Sequence, residues 1–259
     1  MISSFRNFAK TKIAGVFIFI IIIPFVFWGM GSMFNSGNTN NIAKINNTKK
    51  RFKIIYCPPY TLISKMSTKF VKSSIEVGGQ NCHHVKNYGA YTGAVNPKML
   101  KDAGAKYVIL GHSENRQNGE DDKLINLKVK NSIDENLNII FCIGETLKEK
   151  KNKKTFSILS KQIKIGLDGI RNLDKLIVAY EPVWSIGTGI IPKSNDLYDV
   201  INFIKKKIKN KSIKVLYGGS VNNKNIHELK KIKNLDGFLI GGASQDPKKF
   251  IDIIEKTYN

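Results

Sequence analysis

The run "LIVAYEP" (176–182) sets five apolar or aromatic residues in a row and closes on Glu181 and Pro182. A short, continuous apolar stretch bounded by a proline reads as a strand covered on both faces. Six further runs share the pattern: "FKIIYCPP" (52–59), "IEVGGQNC" (75–82), "YVILGHSE" (107–114), "NIIFCIGE" (138–145), "IKVLYGGS" (213–220) and "GFLIGGAS" (237–244). Between them lie segments such as "DKLINLKVKNSIDEN" (122–136) and "SNDLYDVINFIKKKIK" (194–209), with apolar residues three and four apart, as in amphipathic helices. Strands alternating with helices build a parallel sheet from βαβ units. In all seven runs the polar and glycine residues sit at the C-terminal end, where parallel α/β architectures bind ligands. The pattern therefore points to an enzyme.

The chain has 259 residues and is 42% hydrophobic, enough for one large α/β domain or for one domain plus an appendage. Its formal charge of +22 is uneven, because no Asp or Glu occurs before Glu76. Lysine runs such as "KEKKNKK" (148–154) and "KKKIKNKSIK" (205–214) lack interleaved aromatics for stacking on bases, which argues against a nucleic-acid partner. They read as solvated helix faces and connections. Cys57, Cys82 and Cys142 are odd in number, without C-x-x-C spacing, and fit buried free thiols. His83 and His84 stand side by side in a polar turn, and no grouping of His and Cys has metal-ligand spacing. Neither metal nor cofactor is expected.

Residues 13–33 carry no charge and are long enough, at about 1.5 Å per residue, to cross a bilayer core as a helix. Arg6, Lys10 and Lys12 precede the run and nothing basic follows until Lys44. The positive-inside bias then implies a cytoplasmic N-terminus (1–12), a transmembrane helix (13–33), a polar linker (34–51) and an exported body (52–259). Residues 1 to 48 resemble the N-terminal anchor of membrane-bound periplasmic folding factors of the parvulin type, though no parvulin catalytic domain follows.

"YVILGHSENR", "AYEPVWSIGTG", "LYGGSV" and "GFLIGGAS", in this order, resemble the triosephosphate isomerase family over residues 52–259. The resemblance implies a (β/α)8 barrel, a cytoplasmic homodimer, and interconversion of dihydroxyacetone phosphate and glyceraldehyde 3-phosphate in glycolysis and gluconeogenesis. It also implies that Glu181 is the base, His112 the electrophile and Glu114 a supporting acid. "PVWSIGTG" matches the family's closing lid, with Pro182 and Trp184 at the first hinge, while "IIP" (190–192) departs from the usual second hinge. Gly187, Ser220, Gly241 and Gly242 match the phosphate cradle, where glycines let backbone N–H groups approach a dianion. "NYGAYTGAVNP" (87–97) matches the loop that reaches a partner subunit, with Ala94 in place of the usual acid and Asn115 in place of a common Arg.

A family member begins with a strand ending in Asn-x-Lys. "FKIIYCPP" corresponds to its second strand, and "NIAKINN" (41–47) stands too close to Lys53 for a parallel crossover. The expectation is an incomplete barrel of seven strand-helix units with two open edges, and very low or no activity without the lysine. Three functions compete: an isomerase by descent, a catalytically dead chimera, and a membrane-tethered phosphate-binding module.

Overall fold

The structure, a computed structural model, describes residues 18–22, 52–210 and 212–258. Eight parallel strands close into a barrel in sequence order: β1 (Ile18–Ile22), β2 (Phe52–Tyr56), β3 (Glu76–Gly79), β4 (Tyr107–Leu110), β5 (Asn138–Ile143), β6 (Leu176–Tyr180), β7 (Lys214–Tyr217) and β8 (Gly237–Ile240). The seven strands from Phe52 onward fall on the seven apolar runs.

The first strand corrects the expectation of an open barrel. β1 pairs with β2 from Ile18↔Phe52 to Ile22↔Tyr56, and with β8 from Phe19↔Gly237 to Ile22↔Ile240. Residues 18–22, assigned above to a transmembrane helix, are therefore a barrel strand. Uniform apolarity fits either structure, since it hides the period that separates helix from strand. Four of the five residues in "IFIII" are isoleucines, however, whose branched side chains favour strand backbone. Residues 23–51 separate β1 from β2, more than the roughly dozen that a parallel crossover needs. The rest of the 13–33 span, the 1–12 terminus, the 34–51 linker and Lys44 lie outside the described residues. Among the described residues no helix is long and apolar enough to cross a membrane.

Two cores hold the barrel. Its interior is filled by Ile55 and Cys57, Tyr107 and Ile109, Ile140 and Cys142, Ile177 and Ala179, Leu216 and Leu239, mostly alternate residues from successive strands. The intervening residues, such as Ile54, Val108, Phe141, Val178 and Val215, face outward into a larger cluster shared with the helices. Burial on both faces explains why the strands read as unbroken apolar runs. The three cysteines are free and buried.

Candidate active site

Glu181 follows the last residue of β6 and prolongs its ladder, its N–H donating to Ile143 O at 2.8 Å. The side chain is buried, 2% exposed, at the C-terminal mouth of the barrel. One carboxylate oxygen, Oε2, accepts the Ser113 N–H at 3.2 Å. The other, Oε1, lies 3.3 Å from His112 Nε2 but completes no hydrogen bond. Burial pushes the carboxyl above its ordinary value, while His112 and the Ser113 amide pull against that rise. Raising a carboxyl in this way makes the carboxylate a stronger base.

His112 ends the β4 turn and caps a short helix, α1 (Ser113–Gln117), where its Nδ1 accepts the Glu114 N–H at 3.4 Å. An acceptor at Nδ1 puts the proton of a neutral ring on Nε2, the nitrogen facing Glu181. Glu114 thus acts on the imidazole through its backbone, and its largely exposed carboxylate lies 3.9 Å from Nδ1. Arg116 stiffens the floor of the mouth, donating to Gly111 O at 2.7 Å, to Cys142 O at 3.1 Å and to Asp122 at 2.6 Å. Beneath Glu181 lies Cys142, whose thiol is held well above its ordinary value by burial and by the neighbouring carboxylate.

The loop after Glu181 is tied at both ends. A 3-10 turn (Val183–Ser185) presents Trp184, whose indole N–H donates to Glu145 Oε1 at 2.9 Å. Ser185 Oγ donates to Ile190 O at 2.6 Å and contacts the Tyr217 hydroxyl at 2.8 Å. The tip turns through Gly187 and Gly189, at φ 71° and 78°, a region costly for side chains with a Cβ. Gly189 N–H then donates to Ser220 Oγ at 3.0 Å, and Ser220 N–H donates to Ser185 Oγ at 3.3 Å. The loop tip is therefore docked on the turn after β7.

Gly241 and Gly242 follow β8, the neighbour of β7, and open a 3-10 turn (Gly242–Gln245) at the same mouth. Ser220, Gly241, Gly242, Glu181 and His112 thus all stand at C-terminal strand ends. The sequence reading missed Ser113, Glu145, Tyr180 and Tyr217 as parts of this constellation. Ser113 and Glu145 carried a signal, as polar residues at the ends of "YVILGHSE" and "NIIFCIGE".

A family description, Triosephosphate isomerase, matches residues 28–257. The chain belongs to the triosephosphate isomerase family. It is an isomerase by that membership. The triosephosphate isomerase of Thermodesulfovibrio yellowstonii is 42% identical over 205 residues, 76% of this chain and 83% of that protein. That of Wolbachia pipientis wMel is 41% identical over 232 residues, 89% of this chain and 91% of that protein. The crystal structure of triosephosphate isomerase from Bartonella henselae superposes with a TM-score of 0.82 at 34% identity, covering 93% of this chain and 99% of that chain. A second description, SurA-like N-terminal domain, matches residues 1–52 and overlaps the first from residue 28.

Gly218 gives a test of how tightly the mouth of the barrel is packed. A Cβ there would stand 2.8 Å from Glu181 Cγ and 3.4 Å from its Oε1. Gly218→Ala should displace the carboxylate and lower kcat by roughly 10- to 100-fold, since small misplacement of a reacting group has effects of that order. Circular dichroism should be unchanged, and a kcat within twofold of the parent would show that the mouth relaxes around the methyl.

Proposed function

We propose that the chain interconverts dihydroxyacetone phosphate and glyceraldehyde 3-phosphate. The observation that carries this reading is the buried Glu181 carboxylate, 3.3 Å from His112 Nε2, beneath a lid docked on Ser220. Glu181 would leave the Ser113 amide and take the proton from the carbon beside the carbonyl. His112 Nε2–H would hydrogen-bond the carbonyl oxygen as charge grows on it, giving an enediolate. His112 Nε2 would give its proton to that oxygen and take back the one on the neighbouring hydroxyl, while the protonated Glu181 returns its proton to the adjacent carbon, so that the carbonyl and hydroxyl exchange places. Gly187, Ser220, Gly241 and Gly242 would hold the phosphate. The closed lid would keep water from the enediolate until it is reprotonated.

The rate is expected to be reduced. In the family, the strand that opens the barrel ends in a lysine, whereas this chain has no Lys or Arg between Ile13 and Ala43. Losing one preorganised group costs about 10²- to 10³-fold in rate. Isomerisation by the purified full chain should be measured in both directions beside a complete family member. A deficit of that order is expected; parity would remove the impairment. Binding of glycerol 3-phosphate without any turnover would favour a phosphate-binding module over an isomerase.

The family homodimer fits loop 87–97, where Tyr88 and Tyr91 are 62% and 50% exposed. With Ile18–Ile22 taken as a barrel strand, a helix through 13–33 is unavailable to the same molecule, and cytoplasmic action is the reading we favour.

A further inference from the structure

Lys150 falls in "KEKKNKK", a run that composition assigns to a solvated face. Its surroundings differ from that reading. It stands in the last turn of a short helix, α2 (Leu147–Lys151), fixed at its start by a capping box between Thr146 and Glu149. There its Nζ sits 3.4 Å from the centroid of the Trp184 ring. Trp184 belongs, with Pro182, to the segment that the family resemblance makes the first hinge of the lid, and the edge of its indole is gripped by Glu145, which also accepts the Tyr180 hydroxyl at 3.2 Å on each oxygen. Glu145 is 1% exposed, and burial pushes its carboxyl up against the hydrogen bonds from Trp184 and Tyr180 and, last, the Lys150 charge. An ammonium on the ring face and a carboxylate at the ring edge both match the aromatic quadrupole, negative above the plane and positive at the rim.

We propose that Lys150 is a positioning residue for the lid: seated on the face of Trp184 while Glu145 holds its N–H, it fixes the first hinge in the arrangement that docks Gly189 on Ser220. This rests on the isomerase reading, because a lid matters only where it closes over a ligand. Lys150 touches no reacting group. Its effect passes through Trp184, and removing the charge while keeping the side-chain length should loosen the hinge without disturbing Glu181 or His112.

The test uses the full chain with Trp28, its other tryptophan, replaced by Phe, so that Trp184 alone reports. Glycerol 3-phosphate is the probe. Lys150→Met should weaken probe binding by about 3- to 30-fold, the range that a cation–π contact spans from exposed to desolvated sites. It should also reduce the probe-induced change in Trp184 emission and raise KM more than it lowers kcat. Lys150→Arg, which keeps a cation over the ring, should restore all three. Binding and emission within twofold of the parent in Lys150→Met would overturn the inference. So would a loss in both variants matched by an equal fall in melting temperature, which marks a structural role. A parent chain that binds no probe would overturn this inference and the isomerase reading together.

Discussion

Glu181→Gln is expected to lower kcat by about 10²- to 10⁴-fold relative to the parent chain, with KM little changed, because a general base acts in the transition state rather than in substrate binding. The substitution keeps the volume and an oxygen that can still accept the Ser113 N–H. The parent's own pH profile should carry the imprint of burial. The carboxyl is raised in the folded chain, so the acid limb of kcat/KM should lie above the ordinary carboxylate range, and activity should fall as pH drops through it. Stability should move in the opposite sense. A carboxyl raised on folding favours the fold below its unfolded value, and that contribution is lost as pH rises through the folded value. At pH 8 the Gln variant should therefore unfold at higher urea than the parent, and the gap should close as pH approaches 4. A variant within tenfold of the parent in kcat would remove Glu181 from the role of base.

Seven of the eight strands were legible because each is buried on both faces and ends in a turn of glycine or polar residues. The place of His112, Glu181 and Ser220 at the mouth of the barrel was legible for the same reason, since each follows the end of an apolar run. What could not be read were contacts between distant ends. Nothing local marks the amide of Ser113 as the group that occupies Glu181, 68 residues away. Nor does a lysine run reveal which ammonium rests on a tryptophan. Lys148 and Lys151 are exposed, as a solvated face predicts, while Lys150 between them is half-buried against Trp184. The first strand failed for another cause. In "IAGVFIFIIIIPFVFWGMG" (13–31) every position is apolar or small, so no alternation could betray a strand, and length alone favoured a bilayer helix.

Proline at Ile20 separates those two readings by the hydrogen bonds each requires. In the barrel, Ile20 sits at the middle of β1, opposite Ile54 on one side and Phe238 on the other. Every backbone N–H of such an inner strand meets a neighbour. Ile20→Pro removes one donor, leaves a buried carbonyl without its partner and sets the ring against the adjoining strand. An unsatisfied buried group costs about 1–3 kcal/mol, before steric repulsion is added, against a total stability on the order of 5–15 kcal/mol for a domain. The purified variant should lose a large part of its urea midpoint, and Ile20→Leu should stay close to the parent. A membrane helix would respond differently, since proline is tolerated within such spans and Pro24 already stands in this one. The fragment 52–259 completes the comparison. Without β1 it exposes the paired edges of β2 and β8, and open strand edges associate with one another. It should elute as large aggregates and show no cooperative unfolding. If instead the fragment stays monomeric or dimeric and melts with the parent's midpoint, Ile18–Ile22 contributes nothing to barrel closure, and the apolar segment belongs to the membrane after all.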